Sequence, residues 1–390
     1  AHKAYGELVE KGVPPAVFAN SPDPDRKLRV AFFSADFREH SVAYFVEPLI
    51  RLLDRNRFEI LLYNFCNKPD ATTAHFRSLA GIWRDFPSNV ESVVEPVVRA
   101  DALDIAVDLG GHTGESLMPL FARRIAPVQI SYLGYPNTTG LKSMDYRLVD
   151  PTTDPVNEAD QLHTETLVRF STCAWVYAPP ASSPAIAPPP CLKNGHITFG
   201  SFNNFSKVTD EMLTIWAHLL NKVPGSRLLL KSIGLSDPAI TGQIQERLRQ
   251  SGLPMERVEL SGPKGSTAEH LAAYSVIDIA LDTAPYNGTT TTCEALWMGV
   301  PVITLIGNRH AARVSASLLQ AAGHSEWIGG TVEEYVDIAR TLAGDSERLS
   351  TLRKGLRNDL ARSPLLDQSG KALEFGAALR GCWTAWCGAK

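Results

Sequence analysis

The run Ala178–Pro–Pro–Ala–Ser–Ser–Pro–Ala–Ile–Ala–Pro–Pro–Pro190 constrains this chain more than any other stretch. Proline fixes φ and carries no backbone N–H, so a segment this rich in it enters neither a helix interior nor a central strand. It reads as an extended linker over residues 178–194. The 390 residues are too many for one ordinary core, and the linker cuts them into two parts of common domain size. On both sides, short apolar runs alternate with helical periodicity, the pattern of a doubly wound α/β sheet.

Before the linker, Leu28 to Asp36 reads as a buried strand and its exit, and Phe37–Ser41 as the loop after it. Strands are expected at Phe58–Phe65, Ile82–Phe86, Asp104–Leu109, Val128–Tyr132 and Tyr146–Val149. Helices are expected at Val42–Leu53, near 70–80, at Val90–Ala100 and at Glu115–Arg123. The first lobe therefore spans 28–177. A second spans 195–345, with strands at Ile197–Phe202, Arg227–Lys231, Val258–Leu260, Ile277–Asp282 and Val302–Ile306. Its helices are expected at Asp210–Lys222, Ile240–Gln250, Thr267–Tyr274, Cys293–Met298 and near 311–322 and 331–343. Residues 346–390 read as helices with room to pack back on the first lobe, and 1–27 as a linker or the remnant of upstream helical repeats. The opening Ala1–His2–Lys3 lacks a methionine, so the chain is expected to continue a longer protein.

A net charge of -4 gives no basic footprint for nucleic acid. No apolar run is long enough to span a membrane and no signal peptide opens the chain, so a cytoplasmic protein is expected. The six cysteines are scattered without a CxxC pair, as reduced thiols would be.

In α/β sheets the functional loops lie beyond the carboxyl ends of strands, and paired domains commonly hold a ligand in the cleft between them. One such stretch runs from Asp282 to Val302: an apolar strand, the turn residues Pro285, Asn287 and Gly288, then Thr289 to Thr292 opening a helix. Free N–H groups and threonine hydroxyls there suit a phosphate or diphosphate, and Glu294 can accept from a ribose. The structural alternative is a capped helix with Glu294 favouring its dipole. Lys207, in Phe202–Asn–Asn–Phe–Ser–Lys207, can neutralise a diphosphate, or be a solvated lysine. Ser261–Gly–Pro–Lys–Gly265 can read a base edge through its backbone and His270 can stack on the base; a plain turn with a surface histidine is the alternative. His40 and His112 stand in strand-end loops, as does the Gly134–Tyr135–Pro136 turn. An imidazole titrates near neutrality, yet a satisfied structural histidine is the commoner outcome. The glycines beside His112 allow positive φ or close approach to a ligand. No metal site is supported: Asp23–Pro24–Asp25 lies in a linker, and no GK[ST] loop or GxGxxG fingerprint follows a strand.

With Ala35–Asp–Phe–Arg–Glu–His40, Leu133–Gly–Tyr–Pro136, Phe202–Asn–Asn–Phe–Ser–Lys207 and Asn287–Gly–Thr–Thr–Thr291 in this order, the chain resembles the catalytic region of O-linked N-acetylglucosamine transferases over about residues 28–360. It is more narrowly similar to a bacterial homologue, because the insert between the lobes of animal enzymes has no room here. The resemblance implies a GT-B fold, two Rossmann-like domains facing across a cleft, with UDP-GlcNAc as donor. It implies metal-independent inverting transfer to serine or threonine of a protein, and tetratricopeptide repeats upstream. His40 matches the family's active-site histidine, Lys207 the lysine on the donor diphosphate, and Asn204 the position of a glutamine on the nucleotide. His270 matches the histidine stacked on uracil, Gly265 the backbone that reads the base, and Thr290 and Thr291 the phosphate-binding threonines. Gly288 belongs to the same motif, and Tyr135, Pro136 and His112 are candidates for the sugar or acceptor side. Thr289 stands where the family has histidine, Glu294 where it has aspartate, Thr267 where it has lysine and Ser206 where it has tyrosine. These departures bear on nucleotide affinity and sugar identity. The competing readings are a UDP-sugar 2-epimerase, which needs carboxylates at the sugar face, and a non-catalytic UDP-sugar-binding scaffold, which would lose Lys207 or His40.

Overall fold

The computed structural model describes residues 1–114 and 116–389. It comprises two compact units, the first of Ala1–Ala178 with the chain from Asp367, the second of Pro179–Leu366.

The first unit opens with helix α1 (His2–Val9) and continues β1 (Leu28–Ser34), α2 (Ala43–Leu52), β2 (Phe58–Asn64), α3 (Ala71–Leu79), β3 (Ile82–Asp85), α4 (Glu91–Ala100), β4 (Ile105–Asp108), α5 (Met118–Ala122), β5 (Val128–Tyr132), β6 (Tyr146–Val149) and β7 (Thr166–Arg169). The strands form one parallel sheet in the order β3-β2-β1-β4-β5-β6-β7. β1 and β4 are buried almost throughout, which is why they read as unbroken apolar runs rather than alternating ones. The expected helix Glu115–Arg123 is shorter, Met118–Ala122, and Glu115 itself lies outside the described residues. α1 packs into this unit: Gly6 sits so close to the Gly140 carbonyl that a Cβ would collide with it. Glu10 beyond it accepts from Ser143 N at 2.7 Å.

The second unit holds α6 (Cys191–Asn194), β8 (Thr198–Ser201), α7 (Asp210–Lys222), β9 (Arg227–Lys231), α8 (Pro238–Gln250), β10 (Val258–Ser261), α9 (Thr267–Ala272), β11 (Ile279–Leu281), α10 (Thr290–Trp297), β12 (Val302–Leu305), α11 (Val314–Ala321), β13 (Ile328–Gly329), α12 (Val332–Ala343) and α13 (Ser346–Ala361). Its parallel sheet runs β10-β9-β8-β11-β12-β13, so strand order reverses between β8 and β11. α7 shows the local logic: the Thr209 hydroxyl accepts from Met212 N, acids fill the first turn and Lys222 the last, each opposing the dipole end it meets. The proline run has no regular structure before α6 and is held by Trp297 Nε1 donating to Ser183 Oγ at 2.9 Å and Arg357 to Pro184 O at 3.0 Å.

Residues 346–390 do not act as one block. α13 belongs to the second unit, and the last helix, α14 (Gln368–Gly388), to the first. There Trp383 Nε1 donates to Asp23 O at 2.9 Å and Arg380 to Pro24 O at 2.6 Å, fixing the Asn20–Asp25 segment. Among the described residues, no helix is long and apolar enough to cross a membrane.

Candidate active site

The reversal of strand order in the second unit puts the loops after β8 and β11 side by side at the switch point, where doubly wound sheets bind ligands. Asp282, just past β11, organises them. It is buried, and Oδ1 accepts from Gly288 N at 2.7 Å and from Asn203 Nδ2 at 3.3 Å, while Oδ2 accepts from Thr304 Oγ1 at 2.7 Å. Burial pushes its pKa up, and these bonds work against the rise. Gly288 is tightly enclosed: a Cβ there would collide with Thr291 Oγ1 and come within 2.9 Å of Asn203 Oδ1.

α10 begins at Thr290, earlier than the expected Cys293, because Cys293 N already bonds Thr289 O. Tertiary bonds override the modest helix propensity of threonine: Thr291 Oγ1 donates to Asn203 Oδ1 at 2.9 Å, and Thr292 Oγ1 pairs with Ser315 Oγ at 2.9 Å. Thr289 makes no side-chain cap bond, so the capping alternative does not describe this turn. The hydroxyls of Thr289 and Thr290, both half-buried, form no hydrogen bond among the described residues. The first-turn N–H groups have no intrahelical acceptor either.

Lys207 ends a short 3-10 turn after β8. Its Nζ donates to Asn287 O at 2.9 Å and sits 4.1 Å from the centroid of the Tyr286 ring. The alternative of a solvated lysine is therefore not what is found. Burial lowers its pKa, with the charge of Asp282 opposing. Asn204 is exposed and caps this turn by accepting from Ser206 N at 3.1 Å.

Glu294 lies beyond the first turn of α10 and is 7% exposed, which removes the dipole reading. Its Oε2 meets His270 Nε2 at 2.8 Å and the Tyr274 hydroxyl at 3.0 Å. The other ring nitrogen of His270, Nδ1, meets Lys231 Nζ at 2.5 Å. Gly265 is exposed, in the loop leading into α9.

In the first unit, His40 lies in the loop after β1, and its Nδ1 is 3.3 Å from Val42 N and 3.5 Å from Asp36 Oδ2. Burial lowers its pKa, opposed by Asp36 and helped by Arg38. His112 donates from Nε2 to Thr139 O at 2.7 Å, and its ring is 5.2 Å from that of Tyr135. Tyr135 OH bonds His2 Nε2 at 2.7 Å, and its carbonyl accepts from buried Arg147 at 2.6 Å. Pro136 follows, half-buried. Buried Asp108 holds the glycines before His112, accepting from Gly111 N at 2.7 Å and Gly110 N at 3.3 Å. Gly111 has φ +57, and a Cβ on it would strike the Tyr135 side chain.

The family model of glycosyl transferase family 41 matches residues 11–176 and 190–373. The chain belongs to glycosyl transferase family 41. The Petunia hybrida protein named "Probable UDP-N-acetylglucosamine--peptide N-acetylglucosaminyltransferase SPINDLY" is 40% identical over 372 residues, 94% of this chain and 40% of that protein. The chain thus spans less than half the length of that curated relative. A mutant O-GlcNAc transferase from Thermobaculum terrenum is 39% identical with a TM-score of 0.93, covering 100% of this chain and 74% of that one. Anabaena Alr3699/HepE, 12% identical with a TM-score of 0.55 over 91% of this chain and 100% of that one, shares the fold alone. The fold of this family 41 chain is of the GT-B type, built on two doubly wound parallel sheets.

Asn203, Asp282, Lys231 and Tyr274 also build this site, and they are not among the residues that the family 41 motifs pick out. Asp282 directly follows β11, and a carboxylate closing an apolar strand is the signal that marks it; Asn203 lies just beyond β8. Lys231, the last residue of β9, carries no such signal, because a lysine there reads as the strand leaving the core.

Proposed function

We propose that this chain transfers N-acetylglucosamine from UDP-GlcNAc to serine or threonine hydroxyls of protein acceptors, with inversion and without a metal ion. One observation carries the reading: the loop between β11 and α10 presents the unpartnered Thr290 hydroxyl and a free helix N-terminus, with the Lys207 ammonium bonded to the same loop at Asn287. The names of the longer relatives support the donor and acceptor class. Six free cysteines suit the reducing cytoplasm.

In this reading the acceptor oxygen attacks the anomeric carbon as the bond from that carbon to the β-phosphate oxygen breaks. The electron pair leaves on UDP. Lys207, the Thr290 hydroxyl and the α10 N–H groups, that of Thr291 included, stabilise that charge more in the transition state than in the ground state. His270 stacks on the base, Glu294 accepts from the ribose, and the Gly265 loop reads the base edge. His40 orients the acceptor hydroxyl or takes its proton. Tyr135, Pro136 and His112 are proposed for the sugar or acceptor side.

The test is a thermal-shift panel of UDP, GDP, ADP and their sugars, since a ligand of the folded state raises its melting temperature by mass action. Selective stabilisation by UDP and UDP-GlcNAc is expected. A preference for another nucleotide would overturn the donor. Transfer to a serine peptide that persists in EDTA and yields a β-linked product would carry the mechanism; conversion of UDP-GlcNAc alone to UDP-ManNAc would replace it with epimerisation.

A further inference from the structure

Lys231 is the last residue of β9 and only 5% exposed. Its Nζ lies 2.5 Å from His270 Nδ1 and 5.3 Å from the centroid of the Phe202 ring. An ammonium has donors and no acceptor, so Nδ1 carries the lone pair and the ring proton sits on Nε2. The opposite end of the ring agrees: Nε2 faces Glu294 Oε2 at 2.8 Å, and a carboxylate oxygen only accepts. One neutral tautomer satisfies both neighbours.

The consequences reach Glu294. Oε2 already takes His270 and the Tyr274 hydroxyl, while Oε1 forms no hydrogen bond among the described residues. With both nitrogens engaged, His270 can offer a ligand only the face of its ring. Phe202 and Tyr274 pack on it at 6.4 and 5.9 Å between centroids and keep it from turning. Burial lowers the Lys231 pKa, and the Glu294 charge opposes this.

We propose that Lys231 is a positioning residue of the nucleotide pocket. By donating to His270 it locks the Nε2–H tautomer, which holds one oxygen of Glu294, leaves the other for ribose hydroxyls, and presents the imidazole face to the base. The ligand class, a nucleoside diphosphate, rests on the function proposed above. The lock itself does not.

The experiment pairs nitrogen-15 spectra of the histidine rings with UDP titration, on the parent, Lys231→Met and Lys231→Gln, each also in a His270→Ala background. The parent should show His270 protonated at Nε2 and bare at Nδ1. Lys231→Met should lose that signature, and Lys231→Gln, whose amide still donates, should keep it. The UDP dissociation constant should rise about tenfold in Lys231→Met, the loss of one charge-assisted bond. In the His270→Ala background the same substitution should add less than about twofold, because a residue acting through another has nothing left to act on. A parent protonated at Nδ1 overturns the proposal even if Lys231→Met does not fold. So does an unchanged His270 signature in Lys231→Met, or an equal loss with His270 absent. A parent that shows the lock yet binds no UDP overturns the nucleotide reading and leaves the lock standing.

Discussion

Lys207 Nζ donates to the backbone carbonyl of Asn287 at 2.9 Å, with the Tyr286 ring 4.1 Å from the same nitrogen. The bond ties the loop after β8 to the loop before α10 and leaves the ammonium donors to spare. Lys207→Ala should therefore cost little stability, about 1 kcal/mol for one hydrogen bond. Turnover should fall about 10²–10³-fold, with a smaller change in donor affinity, since charge on the leaving phosphate peaks in the transition state. Steady-state kinetics with unchanged turnover would take Lys207 out of the reaction.

Glu294→Ala should act on donor affinity first. Losing a charged acceptor for ribose hydroxyls costs roughly 1.5–3 kcal/mol, about tenfold to a hundredfold in the UDP dissociation constant. The His270 and Tyr274 donors also lose their shared oxygen, so the melting temperature should fall a little. A variant that melts early but binds UDP at parental strength would reduce Glu294 to a structural carboxylate.

Gly288→Ala tests how closely the loop is fitted. The added Cβ would collide with Thr291 Oγ1 and crowd Asn203 Oδ1, displacing the first turn of α10. Overpacking of this kind costs about 1–3 kcal/mol. The outcome to look for is weakened UDP binding together with a lower melting temperature. Binding and stability both at parental level would show that the loop can shift without consequence.

Asp108 supplies a pH test in the first unit. It is fully buried against Gly110 N and Gly111 N, and burial pushes its pKa up to about 6. A folded pKa above the unfolded one stabilises the fold at low pH, and that contribution is lost as pH rises through about 6. The span is worth about 3 kcal/mol. The stability difference between the parent and Asp108→Asn, followed by denaturant melts, should move by this order between about pH 4 and 7. A difference flat with pH would mean that Asp108 does not titrate there.

The alternation of apolar runs and amphipathic helices was enough to locate most strands, because buried parallel strands are apolar on both faces. β7 escaped, since Thr166–Arg169 is polar at both ends, and β13 is only two residues long. The sequence sets the first residue of α10 three positions late, at Cys293 and not Thr290, because the bonds that make threonines helical there run to Asn203 and Ser315, distant in sequence. The same distance hid Lys231: a lysine after three leucines looks like a strand leaving the core, and only the fold brings His270 to it. Motif order pointed to Glu294 and His270 separately. Their hydrogen bond, and hence the freedom of one Glu294 oxygen, needed the sheet order.

His40→Ala tests the chemistry most directly. His40 Nδ1 stands between the Val42 N–H at 3.3 Å and Asp36 Oδ2 at 3.5 Å. Accepting from Val42 leaves the proton on Nε2, which then orients an acceptor oxygen by donating. Donating to Asp36 instead leaves Nε2 bare, able to take the acceptor's proton. Because burial lowers its pKa, the ring is neutral at pH 7 in either tautomer. A folded pKa below the unfolded one also means that its share of stability is lost as pH falls through the folded value. If His40 is the base, His40→Ala should lose about 10²–10⁴ in rate, and parental activity should show an acid limb below about pH 6.5. UDP affinity should not change, because the proposed nucleotide contacts all lie in the second unit. If His40 only orients, His40→Asn should retain much of the activity and flatten the acid limb. Full activity of His40→Ala at parental stability would remove both roles, and the proton would then have to leave through water or a donor phosphate oxygen.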